Sequence, residues 1–364
     1  MLHQTLTRAS DPSMHEFCFF TSSEDVATDY AKQVGLLLNI QQVLDQQHPD
    51  KGQTGKCLLG TVGCPGIVLP ARKTASKRGK IYEGFRCSRC KRFRSVKNAV
   101  VEGEIRGGHQ AGDKISFFAT IAADSRSHTK ISIKHGLCVM YLWAKDLSVM
   151  QMKKMMCGLV TQQRTFMDWR NYLREVCQRS LNEAAPMGGP GRIVQIDESL
   201  IRARQKPNKG RVLPDNPAPL AQQNYGNCVV GPWVFGMVLK RPDGTQEMRM
   251  FHVLRRNERT LRAIIQRHIA PGTEIWTDEW AAYQNIQKWR RFEYIHKTVN
   301  HQPPNTQRIE STWGHVKSHI LRHMQGKRIK MLPGYLAEYW WKKEHQKTPF
   351  NDIIAEITAQ FPLL

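Results

Sequence analysis

The stretch Ile193–Ile201, IVQIDESLI, constrains this chain more than any other. Ile193, Val194 and Ile196 form an apolar run of strand length that ends on Asp197 and Glu198, the pattern of a buried strand carrying a carboxylate to its carboxyl end. The device recurs at Glu274-Ile-Trp-Thr, a second short strand pattern that stops on Asp278. Between the two lie strand patterns at Trp233–Lys240 and Glu247–Leu254, joined by the turn Pro242-Asp243-Gly244. A helix pattern follows from Glu258 to Ile269, with Leu261, Ile264, Ile265 and His268 on one face, and Pro271-Gly272 ends it. Downstream, Arg308–Met324 has helical spacing through Ile309, Trp313, Val316 and Ile320, with Glu310 in its first turn. For one isolated Asp at a strand end, the start of a solvated turn is the better reading. Strand-Asp, hairpin strands, helix, strand-Asp and helix-Glu in this order are what a ribonuclease-H-like sheet needs to gather three acids at one edge.

Asp197, Asp278 and Glu310 so placed repel one another unless cations intervene, and oxygen ligands select magnesium or manganese. Two such ions about 3.5–4 Å apart stabilise the attacking and leaving oxygens of an in-line phosphoryl displacement. Lys317 follows Glu310 by almost two helical turns, which places it on the same face to hold a phosphate; an exposed helix charge is the plain alternative.

Charge points to the same class of partner. Lys and Arg exceed Asp and Glu by 54 to 31, a balance of +23 that attracts polyanions, nucleic acid above all. Residues 51–110 hold 14 Lys or Arg against Glu83, Glu102 and Glu104, with Arg86, Arg89, Lys91, Arg92 and Arg94 as candidate DNA contacts. The same segment carries Cys57, Cys64, Cys87 and Cys90. Cys87-Ser-Arg-Cys90 has zinc-knuckle spacing, and Cys57 with Cys64 is a looser second pair, its Cys64-Pro65-Gly66 turn followed by Ile67 where a second cysteine is expected. One structural zinc ion would explain how so charged a segment folds; four unliganded thiols in a basic loop is the alternative, and His48 is a spare ligand. From Lys134 to Asn182 three helix patterns follow, with Ser148 capping the second and Gly158 ending it. They resemble a helix-turn-helix. The third sets Arg164, Arg170, Arg174 and Arg179 beside its apolar stripe, as on a helix lying along DNA; a packing domain with a solvated basic face fits as well.

The expected organisation is an N-terminal region 1–50 with an amphipathic helix from Asp25 to Gln47, a zinc-ribbon-like segment 51–110, a helical domain 111–187, a ribonuclease-H-like domain 188–325 with an exposed insertion 202–230, and C-terminal helices 326–364. The fold class is thus α/β, a mixed sheet with flanking helices behind two DNA-binding modules. No apolar run approaches the roughly 20 residues that span a bilayer, and there is no secretory signal core, so a membrane partner is not expected. Nine cysteines without a signal favour metal or free thiols over disulfides.

The ordered set GGPGRIVQIDES at 188–199, NKGR at 208–211, PWVFGMV at 232–238, PGTEIWTDEWAAY at 271–283, VNH at 299–301, TQRIESTWGHVKSH at 306–319 and YLAEYWW at 335–341 resembles the Merlin family of eukaryotic cut-and-paste DNA transposases and its bacterial insertion-sequence relatives. The cysteine segment and the helices around MYLWAKDLS at 140–148 look like that family's DNA-binding half. The resemblance implies a DDE transposase with Asp197, Asp278 and Glu310 as catalytic acids, Lys317 as an auxiliary residue and His301 shaping the site. It further implies binding to terminal inverted repeats, cleavage of the element ends, transfer of 3′ ends into target DNA, and a homodimer or larger assembly on double-stranded DNA. The N-terminal region and insertion loop favour the eukaryotic branch and a nuclear location; a bacterial chain would act in the cytoplasm. A domesticated DNA-binding protein without catalysis, or a nuclease of this fold without strand transfer, are the rival readings.

Overall fold

A computed structural model describes residues 10–37, 39, 56–57, 61–62, 64, 66–74, 81–95, 117–118, 131–160, 162–201, 232–289, 291–299, 307–324 and 329–361. The chain divides into two compact units, one formed by Met1–Arg170 together with Lys347–Leu364 and the other by Asn171–Gln346. No helix among the described residues is long and apolar enough to cross a membrane.

In the first unit, helices α1 (Met14–Phe20) and α2 (Glu24–Gln33) start at Ser13 and Ser23, whose hydroxyls accept from backbone N–H groups of the first turn. The single helix expected from Asp25 to Gln47 ends at Gln33: Gly35 turns the backbone to φ +80°, and Leu36 and Leu37 are buried beyond it. Residues 40–47 lie outside the described residues. An antiparallel sheet of β1 (Val68–Thr74), β2 (Ile81–Cys87) and β3 (Phe93–Ser95) carries the cysteine segment, with Val68 opposite Cys87. Three helices follow where spacing requires them: α3 (Ile133–Ala144), α4 (Val149–Met155) and α5 (Gln163–Glu183). Ser148 and Gln151 form a reciprocal capping box at the start of α4, and Cys157 and Gly158, both at positive φ, end that segment. The boundary between the two units falls within α5, at Arg170 and Asn171.

The last helix, α9 (Pro349–Gln360), belongs to the first unit. Asp11 ties it there, accepting from the backbone N–H groups of Phe350 and Asn351 at 3.1 and 3.0 Å and pairing with Lys145 at 2.9 Å. Glu24 does the same for α3 through the N–H groups of Ile133 and Lys134. The C-terminal helices expected together over 326–364 are thereby separated.

The second unit is built on one mixed five-stranded sheet. Its strands are β4 (Ile193–Leu200), β5 (Trp233–Lys240), β6 (Gln246–Val253), β7 (Glu274–Thr277) and β8 (Ile295–Thr298), in the order β8-β7-β4-β5-β6. β7 and β8 run parallel to β4, and β5 alone runs against its neighbours. The mixed sheet with helices against it agrees with the expected α/β class. The strict two-residue alternation of β4 sorts its side chains. Val194 and Ile196 join Phe235, Met237, Ile275 and Tyr283 in a core closed by Leu261 and Ile265 of α6 (Glu258–His268). The other face, with Gln195 and Asp197, meets α7 (Gln307–Met324), and α8 (Leu332–Glu344) packs on β6.

One buried cation organises the sheet edge. Arg249 of β6 is almost wholly buried and hydrogen-bonds to Glu247, to the carbonyl of Ala185 and to His268 Nδ1 at 3.2 Å. Burial, then the charges of Arg249 and Arg267, depress the imidazole of His268 to about 4. Its neutral form is the native form, so protons bind the unfolded chain first. As pH falls from 6.5 towards 4, this group is expected to remove up to about 1.4 kcal/mol of stability per pH unit. Denaturant titrations of wild type and His268→Asn across that window check it; parallel pH profiles would rule it out.

Candidate active site

Strand β4 brings Asp197 up beside β7, which it pairs in parallel through Val194↔Ile275 and Gln195↔Trp276; Asp278 follows immediately after β7. Helix α7 crosses the Asp197 face of the sheet. Three contacts fix it: the Gln195 side-chain oxygen accepts from the N–H of Ile309 at 3.3 Å, Gln246 donates to the Thr312 hydroxyl at 2.9 Å, and the Trp313 indole N–H donates to Asp197 Oδ2 at 2.9 Å. The indole lies over Gly236, the residue directly opposite Asp197 on β5, where a Cβ would stand 2.7 Å from Trp313 Cζ2. A residue larger than glycine there displaces the indole and with it the hydrogen bond to Asp197. Glu310 is exposed one turn before Trp313 on α7, and Lys317, half-buried, lies two turns beyond Glu310.

The electrostatics match this grouping. Burial drives the Asp197 carboxyl up to about 6; the bonds from Trp313 and from the Glu198 backbone N–H resist the rise, and the charges of Asp278 and Glu310 add to it. Asp278 is exposed and accepts from the Trp280 N–H at 3.1 Å. Glu198, on the opposite face from Asp197, is pushed up to about 8 by burial and then by Asp197 and Asp278, against the pull of Arg256; the Tyr283 hydroxyl donates to it. Asp197, Glu198 and Asp278 thus lie near one end of the sheet, and Glu310, on α7, adds its charge at Asp197. Their oxygen donors are of the kind a hard divalent cation takes. The carboxylates of Asp197, Asp278 and Glu310 do not all lie within 4.8 Å of one another, so the set stands open.

The cysteine segment is more closed. The thiols of Cys64, Cys87 and Cys90 all lie within 4.8 Å of one another, and Cys64 Sγ and Cys87 Sγ are 3.6 Å apart. Two thiolates on one tetrahedral zinc sit about 3.8 Å apart, given Zn–S bonds near 2.3 Å, so the three fit that ion. Cys57 lies in a two-residue strand with its side chain outside the described residues. Burial holds the Cys87 thiol up near 11, so a metal must displace its proton to bind. Zinc analysis of purified protein is expected to return about one ion per chain, and Cys87→Ser close to none; an unchanged ratio would remove this site.

The expected DNA-facing arginines divide. Arg86, Arg89, Lys91 and Arg92 are exposed around the Cys87–Cys90 turn, and Arg164 is exposed on α5; the Arg94 side chain lies outside the described residues. Arg170 and Arg174 do not face solvent: both are buried, and Arg174 Nε pairs with Glu338 Oε2 at 2.6 Å. Their position beside the apolar stripe of α5 put them against protein. Loop 202–230, His48 and His301 lie outside the described residues. Three further residues of the site escaped the sequence reading: Trp313, which looked like core; Gly236, which looked like any strand glycine; and Arg256, within a run of charges.

Residues 190–344, which contain all three acids and Lys317, match the family model described as an ISXO2-like transposase domain. No match was found among curated proteins. Among solved structures, the chain is similar to the Mos1 strand transfer complex at 13% identity, over 66% of this chain and 80% of that chain, with a TM-score of 0.27. It is similar to a pre-cleavage Mos1 transpososome at 13% identity over 66% and 82%, TM-score 0.23, and to the Mos1 transposase paired-end complex with left transposon end at 13% over 65% and 82%, TM-score 0.22.

Proposed function

We propose that this chain is a DDE transposase that cuts the ends of a DNA element and joins their 3′-hydroxyls to target DNA, with Asp197, Asp278 and Glu310 as its catalytic acids. The observation that carries the reading is Asp197 at the end of β4, beside the end of the parallel strand that leads to Asp278, under the helix that carries Glu310; its carboxyl is pushed up first by burial and then by the charges of Asp278 and Glu310. The match of residues 190–344 to a transposase domain supports it, as does the exposed basic turn at Cys87–Cys90. Within that reading, the chain resembles the Merlin branch, binds terminal inverted repeats through the cysteine segment and the helices that follow it, and acts as a dimer or larger assembly.

Asp197, Asp278 and Glu310 would hold two magnesium or manganese ions, whose chemistry when bound is activation of water or a 3′-hydroxyl and stabilisation of the leaving oxygen. The chain's own residues prepare that centre. Trp313 and the Glu198 N–H each occupy one oxygen of Asp197, which fixes the carboxylate plane and leaves a further lone pair on each oxygen. Lys317 supplies a cation on the helix that carries Glu310, suited to a phosphate near the acids. Exposed Asp278 and Glu310 stay accessible to the reacting strand.

The test is a joining reaction. Duplexes with randomised pre-cut ends, incubated with the protein, manganese and a plasmid, are expected to yield covalent joints sharing one end sequence. Cleavage without joining would identify a nuclease of this fold, and neither reaction would leave a DNA-binding protein.

A further inference from the structure

Arg256, in the turn between β6 and α6, sits on the same end of the sheet as the acids. Its guanidinium carbon lies 3.5 Å from the centre of the Trp233 ring and 4.9 Å from that of Trp280, and Trp280 is the residue whose N–H holds Asp278. Stacking on two indoles fixes the plane of a fork that would otherwise sample many rotamers. The basic line continues along α6. Arg259 and Arg262 line a groove of about 560 Å³ together with Asn257, Glu258, Ala263 and Gln266, and Arg262 lies over the Trp289 ring at 5.1 Å. The acid in this groove, Glu258, accepts a hydrogen bond from Asn285 at 2.8 Å. Among the described residues, none of the three arginines forms a salt bridge. Arg256 does pull the Glu198 carboxyl down, so a purely structural role, offsetting the crowded acids, is the alternative to be tested.

We propose that Arg256, Arg259 and Arg262 form a phosphate track that holds the DNA strand flanking the reacting phosphate, with Arg256 as its anchor beside the acids. The inference rests on the transposase reading for its substrate and adds where on the catalytic unit that substrate lies. Arg256 and Arg262, planar cations held on aromatic faces, are preorganised for phosphate oxygens, with Arg259 between them on the helix, and arginines so placed bind backbone irrespective of base sequence.

The experiment uses the full chain without divalent metal and a fluorescent duplex of arbitrary sequence, with affinity measured at several salt concentrations. Arg256→Ala is expected to weaken binding about 5–10-fold and lower the salt slope by about 0.9, the signature of one lost phosphate contact. Arg256→Lys is expected to keep the slope and recover part of the affinity. Because Arg256→Ala could disturb the acid cluster, a second readout uses wild type: Arg256 is expected to be protected from phenylglyoxal by the duplex, as read by mass spectrometry. Unchanged slope with equal Arg256 reactivity in free and bound protein would overturn the track while leaving the transposase reading intact. Failure of wild type to bind the duplex at low salt would overturn both.

Discussion

Asp197→Asn is expected to abolish metal-dependent cleavage and joining, by about 10³-fold or more, while leaving the fold intact and slightly more stable. Under the proposed reading, the loss follows from replacing an anionic ligand by an amide, where bound ions would contribute several kcal/mol to the transition state. The gain follows from electrostatics. Burial and the neighbouring acids raise the Asp197 carboxyl to about 6, so at neutral pH the native state carries a charge it disfavours. A raised carboxyl weakens the native state as pH climbs past its unfolded value, and the amide removes that cost, about 1–3 kcal/mol. The amide oxygen can still accept from Trp313, so helix α7 keeps its anchor, while the amide NH2 then faces the Glu198 N–H and offsets part of the gain. Kinetics with manganese and the thermal midpoint of the variant check both halves. Wild-type turnover in Asp197→Asn would remove this residue from the chemistry.

Arg174→Ala, or Glu338→Ala, is expected to cost about 3–5 kcal/mol, the largest destabilisation this unit should show for a single side chain. The two charges are 2.6 Å apart with 5% and 1% of their side chains exposed, the guanidinium also donates to Asn171 at 2.9 Å, and it lies 3.8 Å from the centre of the Tyr335 ring. Removing one partner leaves the other charge in a place water hardly reaches, Glu338 then keeping Lys342 at 3.9 Å. Removing both, as in Arg174→Met with Glu338→Leu, should cost far less than the sum of the single changes, because neither member of the pair is left without the other; the double change also takes the 3.9 Å contact from Lys342. Denaturant midpoints for the two singles and the double decide the matter; additive losses would show that the pair is not coupled.

That pair also marks where sequence reasoning stops. Glu338 stands 164 positions from Arg174, and nothing in the spacing of α5 announces it, so the arginine read as a solvent-facing contact for DNA. The acids were legible because each announces itself locally: Asp197 and Asp278 end apolar runs of strand length, and Glu310 opens an amphipathic helix. What joins them is non-local. Trp313 showed as an apolar position at helical spacing, yet its N–H bonds to Asp197, 116 residues away. Gly236 had meaning only once register set it under that indole. The knuckle Cys87–Cys90 was plain from its spacing, and Cys64 joined it across the turn despite the irregular interval. The helix begun near Asp25 was overextended because hydrophobic period alone does not register the left-handed turn at Gly35.

The return of α9 to the first unit sets an order of events during synthesis. Residues 171–346, which carry the acids, emerge complete and can fold as a unit while the first unit still lacks the helix whose N–H groups Asp11 receives. A chain stopped before Pro349 should therefore keep its five-stranded sheet but leave α3 open to proteolysis. The unit that carries the acids is ready first, and the other closes only once α9 has been made.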